Sequence, residues 1–201
     1  MKPANLVVPC VVAGLLMLAP SLCFGGVIRA DSTYAAYDAA MAGVDAIQAD
    51  GALNGDFAAS GNYLGDGWVL TAAHVANSPD SSGHFTFTIN GSSYSSSAAY
   101  LYPGWTDLDP TRNDIGLIKL SVTNIAAQTV RLYAGTTAGL IGQVVYVSGH
   151  GLTGDGVQGE TGSNYELHAG ENLIESRGGS PDLPPPLSDV SSSVVFFSWR
   201  D

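Results

Sequence analysis

Cysteine is nearly absent from this chain. Cys10 and Cys23 are the only two in 201 residues, and both fall in the first 25. Basic residues are scarce as well, with seven Lys and Arg against eighteen Asp and Glu for a net charge of −11. Nucleic acid is thereby excluded as a partner, because a phosphate-binding surface needs clustered Lys and Arg and these seven are scattered. Charged residues of both signs make up only 12% of the chain. Long apolar runs are missing too: the stretch from Leu6 to Leu18 is too short and too close to the amino terminus for a membrane span.

That early run instead reads as a secretory leader over residues 1–25. Lys2 supplies the positive start, and Cys23-Phe24-Gly25 offers small residues around a cleavage point. Pro9 and Leu22 precede the two cysteines, which is a poor context for lipid attachment. Both cysteines are therefore expected to leave with the leader, giving an exported, secreted or periplasmic chain that uses no disulfide. Once the leader is cleaved, no membrane association is expected. An acidic surface keeps such a protein soluble. A hydrophobic content of 45% with 9% aromatics is enough for a core. Abundant Gly and Ser, few charges and short apolar runs favour an all-β fold with many turns.

In chain order, Tyr34, Tyr37, Met41, Val44 and Ile47 recur at helical spacing and predict a short amphipathic helix within 31–48. It belongs to an N-terminal segment, 26–56. A strand over 57–64, a Gly65-Asp66-Gly67 turn and a strand over 68–71 predict a hairpin. Phe85, Phe87 and Ile89 alternate with Thr86 and Thr88, and Asn90-Gly91 is a type I′ turn signal leading to a partner strand over 94–102. A further buried strand is expected at 115–120. A second unit, 126–201, follows the first at 57–125, with strands expected near 129–133 and 144–148. Six glycines between Gly149 and Gly162 predict a long surface loop. Another strand or hairpin arm is expected over 165–176. The prolines at 181 and 184–186 interrupt regular sheet, because proline lacks the ladder donor. A last strand is expected over 194–199.

Two blocks carry chemistry. Gly67-Trp68-Val69-Leu70-Thr71-Ala72-Ala73-His74-Val75 ends an apolar run in small residues and one histidine. Forty positions further on, Asn113-Asp114-Ile115-Gly116-Leu117-Ile118-Lys119-Leu120 places a carboxylate at the head of another. Imidazole titrates near neutrality and suits a general base, while a carboxylate can fix its tautomer and stabilise the imidazolium. Taken singly, such a histidine is more often a satisfied or exposed one, and such an aspartate a turn or cap residue.

As a pair in this order, following Tyr102-Pro103-Gly104-Trp105, the blocks resemble those of the chymotrypsin-like (trypsin-type) serine proteases. Val145-Tyr146-Val147-Ser148-Gly149-His150-Gly151 is similar to the segment that opens that family's second barrel, with His150 where tryptophan is common. The resemblance runs from Phe57 to the chain end and leans toward a bacterial secreted branch. It implies a chymotrypsin-like double β-barrel, the first barrel complete and the second incomplete, and hydrolysis of peptide bonds in a protein or peptide substrate by a monomer. His74 would be the base and Asp114 its orienting carboxylate; His84, His150 and His168 have no catalytic part. No cofactor and no metal enter this reading.

The departures are informative. Val75 stands where the family often has cysteine, and Gly26-Val27-Ile28-Arg29 replaces an Ile-Val-Gly-Gly start. No Gly-Asp-Ser-Gly-Gly is present. In this family's order the serine follows the aspartate by roughly 90 residues, which from Asp114 falls just past Asp201. The chain is thus expected to be truncated before its nucleophile and inactive as it stands. Ser180 after Gly178-Gly179 is a poor substitute, since Pro181-Asp182 follows and no oxyanion hole is encoded. A secreted, non-catalytic protease-like binding module is the alternative. An adhesion β-domain would leave the paired blocks unexplained.

Overall fold

The computed structural model describes residues 27–28, 33–44, 47–55, 58–106, 113–155, 158–174, 176–177 and 195–196. A short strand β1 (Val27–Ile28) precedes helix α1 (Tyr34–Met41) and a 3-10 turn (Ile47–Ala49). Then come β2 (Asp50–Asn54), β3 (Ala58–Gly65), β4 (Trp68–Thr71), the one-turn helix α2 (Ala73–Ala76), β5 (Thr86–Ile89), β6 (Ser92–Leu101) and β7 (Gly116–Leu120). The six strands β2 to β7 close into a barrel in the order β2-β3-β4-β7-β6-β5. Every neighbouring pair is antiparallel.

Alternation along the strands fills this barrel. Leu53, Tyr63, Val69, Phe87, Ile118 and Leu120 are each at most 2% exposed and belong to one cluster. Burying side chains of this size contributes about 1.5–3 kcal/mol apiece. The β5–β6 hairpin turns as its sequence predicts. Asn90 and Gly91 have φ of 50° and 72°, the left-handed pair that a type I′ turn requires, and Ile89 faces Ser92 across it.

The second sheet is built from the long strands β8 (Val144–Asp155) and β9 (Gly159–Leu173), with β1 running parallel to β8. A separate pair joins β10 (Ser176–Arg177) to β11 (Val195–Phe196). Among the described residues this second sheet does not close. Helix α1 packs on β9, where Met41, Ile47 and Ala169 form a small core. Thr33 caps the helix by accepting from the Ala36 amide. Tyr34 ties it to β8, accepting from Gly154 N at 2.7 Å and donating to Gly154 O at 3.0 Å.

Several expectations are corrected. The helix within 31–48 is shorter: it stops at Met41 and a turn at Ala42-Gly43 leads into the 3-10 segment. The barrel begins at Asp50 instead of 57, because β2 pairs with both β3 and β5. Its sequence, Asp-Gly-Ala-Leu-Asn, carries one large apolar residue and so gave no alternation to read. No strand forms at 129–133. Both edges of β3 are taken by β2 and β4, which leaves that segment one backbone bond, Val130 N to Tyr63 O at 3.0 Å, and leaves Leu132 66% exposed. The expected glycine-rich loop over 149–162 is the outer half of the β8–β9 hairpin, with Gly149 paired to His168 and Asp155 to Gly159. Ladder bonds from the partner strand outweigh the low strand propensity of glycine there. Of the last expected strand only Val195 and Phe196 lie within the described residues, as does none of the leader.

The second sheet covers the outside of the barrel at β2 and β3. Leu53 and Tyr63 point into the core, so Asp50 and Asn62, directly opposed across the β2–β3 ladder, point outward. Strand β8 lies over them. Ser148 Oγ donates to Asp50 Oδ2 at 2.8 Å and His150 N donates to Ser60 Oγ at 2.6 Å. This covering buries polar residues that the barrel alone would leave in water.

Candidate catalytic dyad

His74 is the second residue of α2, the single helical turn that follows β4. Ala72 enters it with extended backbone, φ −77° and ψ 152°. The helix closes through Ala76 N to Ala72 O and Asn77 N to Ala73 O. Small residues at 72, 73 and 76 let this turn lie directly on β7. The limiting contact is Gly116: a Cβ there would sit 2.6 Å from Ala76 Cβ and 2.9 Å from Ala72 O. Glycine at the head of β7 is what allows α2 and Asp114, two residues before it, to meet.

The meeting is a two-point one. Asp114 Oδ2 lies 2.7 Å from His74 Nδ1, and Asp114 Oδ1 accepts from His74 N at 2.9 Å. Both carboxylate oxygens thus contact His74, which fixes the imidazole plane. Asn113 sets up this approach with a left-handed φ of 59° and donates Nδ2 to Gly104 O at 3.1 Å. Tyr102 N donates to Ile115 O, closing the other side of the segment.

Electrostatically Asp114 is held as a carboxylate. The Asp114 side chain is 8% exposed and that of His74 is 28% exposed. Burial acts to raise the pKa of Asp114, but hydrogen bonds from the His74 ring and amide, the His74 charge and the Ala73 amide together outweigh it. The net direction is downward from the usual carboxylate range. An ionised Asp114 holds the proton on Nδ1 and leaves Nε2 as the basic nitrogen of the ring.

The other residues weighed from the sequence lie elsewhere. Ser180 falls outside the described residues. His84 sits in a turn around Asp80, whose Oδ1 accepts from His84 N. His168 pairs through Nδ1 with Asp38 Oδ2 at 3.0 Å, and Tyr34 stacks on it with ring centroids 4.2 Å apart. His150 is part of the contact between β8 and β3. Asp50 escaped sequence reading altogether. Burial raises its pKa to about 7, against smaller lowering contributions from the Ser148 hydroxyl and the Gly51 amide. No sequence pattern signals this, since an outward polar residue on a strand normally faces water.

A closed six-stranded barrel that sets a histidine after β4 against an aspartate before β7 defines a class of fold and site. The trypsin family model matches residues 37–177, and the chain belongs to the trypsin family. Among solved structures it is similar to an HL collagenase, with a TM-score of 0.57 and 17% identity over 74% of this chain and 67% of that one. It is also similar to neuropsin, a serine protease expressed in the limbic system of mouse brain, with a TM-score of 0.51 and 21% identity over 66% of this chain and 61% of that one. The chain thus spans about two thirds of the length of these two, and the likeness is one of fold. None of the curated proteins matches the sequence.

Proposed function

We propose that this chain belongs to an exported serine endopeptidase of a bacterial secreted branch, with His74 as general base and Asp114 as the carboxylate that orients it. The observation that carries the reading is the two-point contact of Asp114 with His74, at 2.7 Å and 2.9 Å. In the reaction, His74 Nε2 takes the proton of a serine hydroxyl as its oxygen attacks the peptide carbonyl. The imidazolium, stabilised by Asp114, then passes that proton to the leaving amine, giving an acyl-enzyme that water hydrolyses. The substrate is a protein or peptide and the enzyme acts as a monomer.

The serine belongs to sequence following Asp201. Two things support this: Gly-Asp-Ser-Gly-Gly does not occur in the 201 residues, and the family's usual spacing of roughly 90 residues from aspartate to serine runs past that position. The 201-residue chain alone is accordingly inactive. Residues 1–25 act as the leader that exports it. The same absence of the motif favours the second reading, a protease-like module that binds a partner without cleaving it.

A serine-directed fluorophosphonate separates these. It is applied to the 201-residue chain and to a chain extended into the downstream reading frame. Labelling of the extended chain alone, abolished by His74→Ala, supports the enzyme. A stop codon directly after Asp201 in the gene supports the binding module, and labelling of the short chain overturns the assignment of the nucleophile.

A further inference from the structure

A cavity of about 450 Å³ lies between α1, β2, the β5–β6 turn and the β8–β9 hairpin, with neither His74 nor Asp114 among its lining residues. Met41, Ile47, Ile89 and Leu167 give it apolar walls, and Asp38 and Asp50 bring two carboxyl groups to it. Among the described residues no lysine or arginine lines it.

Asp50 is the unusual member. It is 4% exposed, its Oδ2 accepts from Ser148 Oγ, and its Oδ1 is buried with no hydrogen-bond partner. Asn62, directly opposite on β3 and 6% exposed, has a buried Oδ1 in the same condition. Two buried acceptors on one face of one ladder thus lack a donor. Buried polar groups are nearly always satisfied, and leaving one unmet costs about 1–3 kcal/mol. Asp38, by contrast, is occupied by His168 Nδ1 and Ala169 N.

We propose that this cavity binds a small organic cation with a primary ammonium head and a short apolar stem, the ammonium donating to the carboxyl group of Asp50, which lines it. An ammonium brings three donors and the missing counter-charge, and charge-assisted hydrogen bonds are about twice as strong as neutral ones. The apolar walls accommodate an alkyl stem. The net charge of −11 adds a long-range attraction for cations. Burial of Asp50 without a counter-charge is also what pushes it up to about 7. The site is independent of the catalytic reading, since its residues take no part in the dyad.

The test is an amide-resolved NMR titration of the 201-residue chain with n-butylammonium, against n-butanol as the neutral isostere and tetramethylammonium as a cation without N–H donors. A ligand of five heavy atoms with one good anchor is expected to bind with a dissociation constant of about 1 mM. Shifts should centre on Met41, Asp50, Leu167 and Ala169. Asp50→Asn should weaken n-butylammonium at least tenfold while leaving the dispersion of the spectrum intact. Binding of n-butanol or tetramethylammonium as tight as that of n-butylammonium would overturn the proposal without recourse to any variant. So would a wild-type protein that shows no shifts at these residues, or an Asp50→Asn protein that binds equally well.

Discussion

Replacing Asp50 by asparagine should make this protein more stable, and by an amount that depends on pH. The carboxyl is raised from its ordinary 3.8 to about 7 by burial under β8. In the unfolded chain it ionises near 3.8, whereas the folded chain keeps its proton until about pH 7. The folded state therefore binds the extra proton between those values. Stability contributed by the protonated form is complete below pH 4 and is lost as pH rises toward 7, after which the penalty stays constant. The distance from 3.8 to about 7 corresponds to about 4 kcal/mol. That is a large share of a typical folding free energy of about 5–15 kcal/mol.

Asparagine cannot ionise and has nearly the same shape. Its carbonyl can keep the Ser148 hydroxyl, and its amide can donate toward Asn62 Oδ1, which lacks a partner in the wild type. Urea unfolding of the two proteins from pH 4 to pH 8 measures the difference. The curves should coincide near pH 4, and the variant should gain stability progressively up to about 4 kcal/mol at pH 8, or about 10 °C in Tm. Asp38, His150 and His168 also lie near this surface, but they are common to both proteins and cancel in the difference. A gap that does not change with pH, or a variant less stable at pH 8, would refute the assignment of an uncompensated buried acid.

Three further outcomes are expected. In the extended, serine-containing chain, Asp114→Asn should lower kcat by about 10⁴-fold through loss of the correct His74 tautomer, with modest change in KM; steady-state kinetics on a peptide substrate checks this, and a loss confined to KM would contradict it. Gly116→Ala drives a methyl group to 2.6 Å from Ala76 Cβ, which should cost about 1–3 kcal/mol in urea unfolding and displace α2; an unchanged midpoint would show that the helix does not rest on β7. The chain beginning after Gly25 should melt at the same temperature with and without a thiol reductant, since residues 26–201 contain no cysteine; a drop of several degrees would contradict this.

The sequence by itself determined the elements whose identity is local. The alternation of Phe85, Phe87 and Ile89 with the Asn90-Gly91 turn specifies a hairpin in one register, because a one-residue slip would turn the aromatic face to water. The two blocks around His74 and Asp114 were legible as strand ends carrying a histidine and a carboxylate. Their distance was not, since a separation of forty residues carries no geometry until β4 and β7 pair in the barrel. Strand β2 was illegible because a strand of Asp, Gly, Ala, Leu and Asn draws its stability from its neighbours. The glycine-rich span after Gly149 read as a loop for the same reason. Asp50 is the clearest case of tertiary decision. Its sequence marks it as an outward polar residue, and only the docking of β8 across the barrel removes it from water. Local propensity and periodicity are properties of a few neighbouring residues, whereas burial and the pKa that follows from it belong to surfaces brought together from residues 98 positions apart.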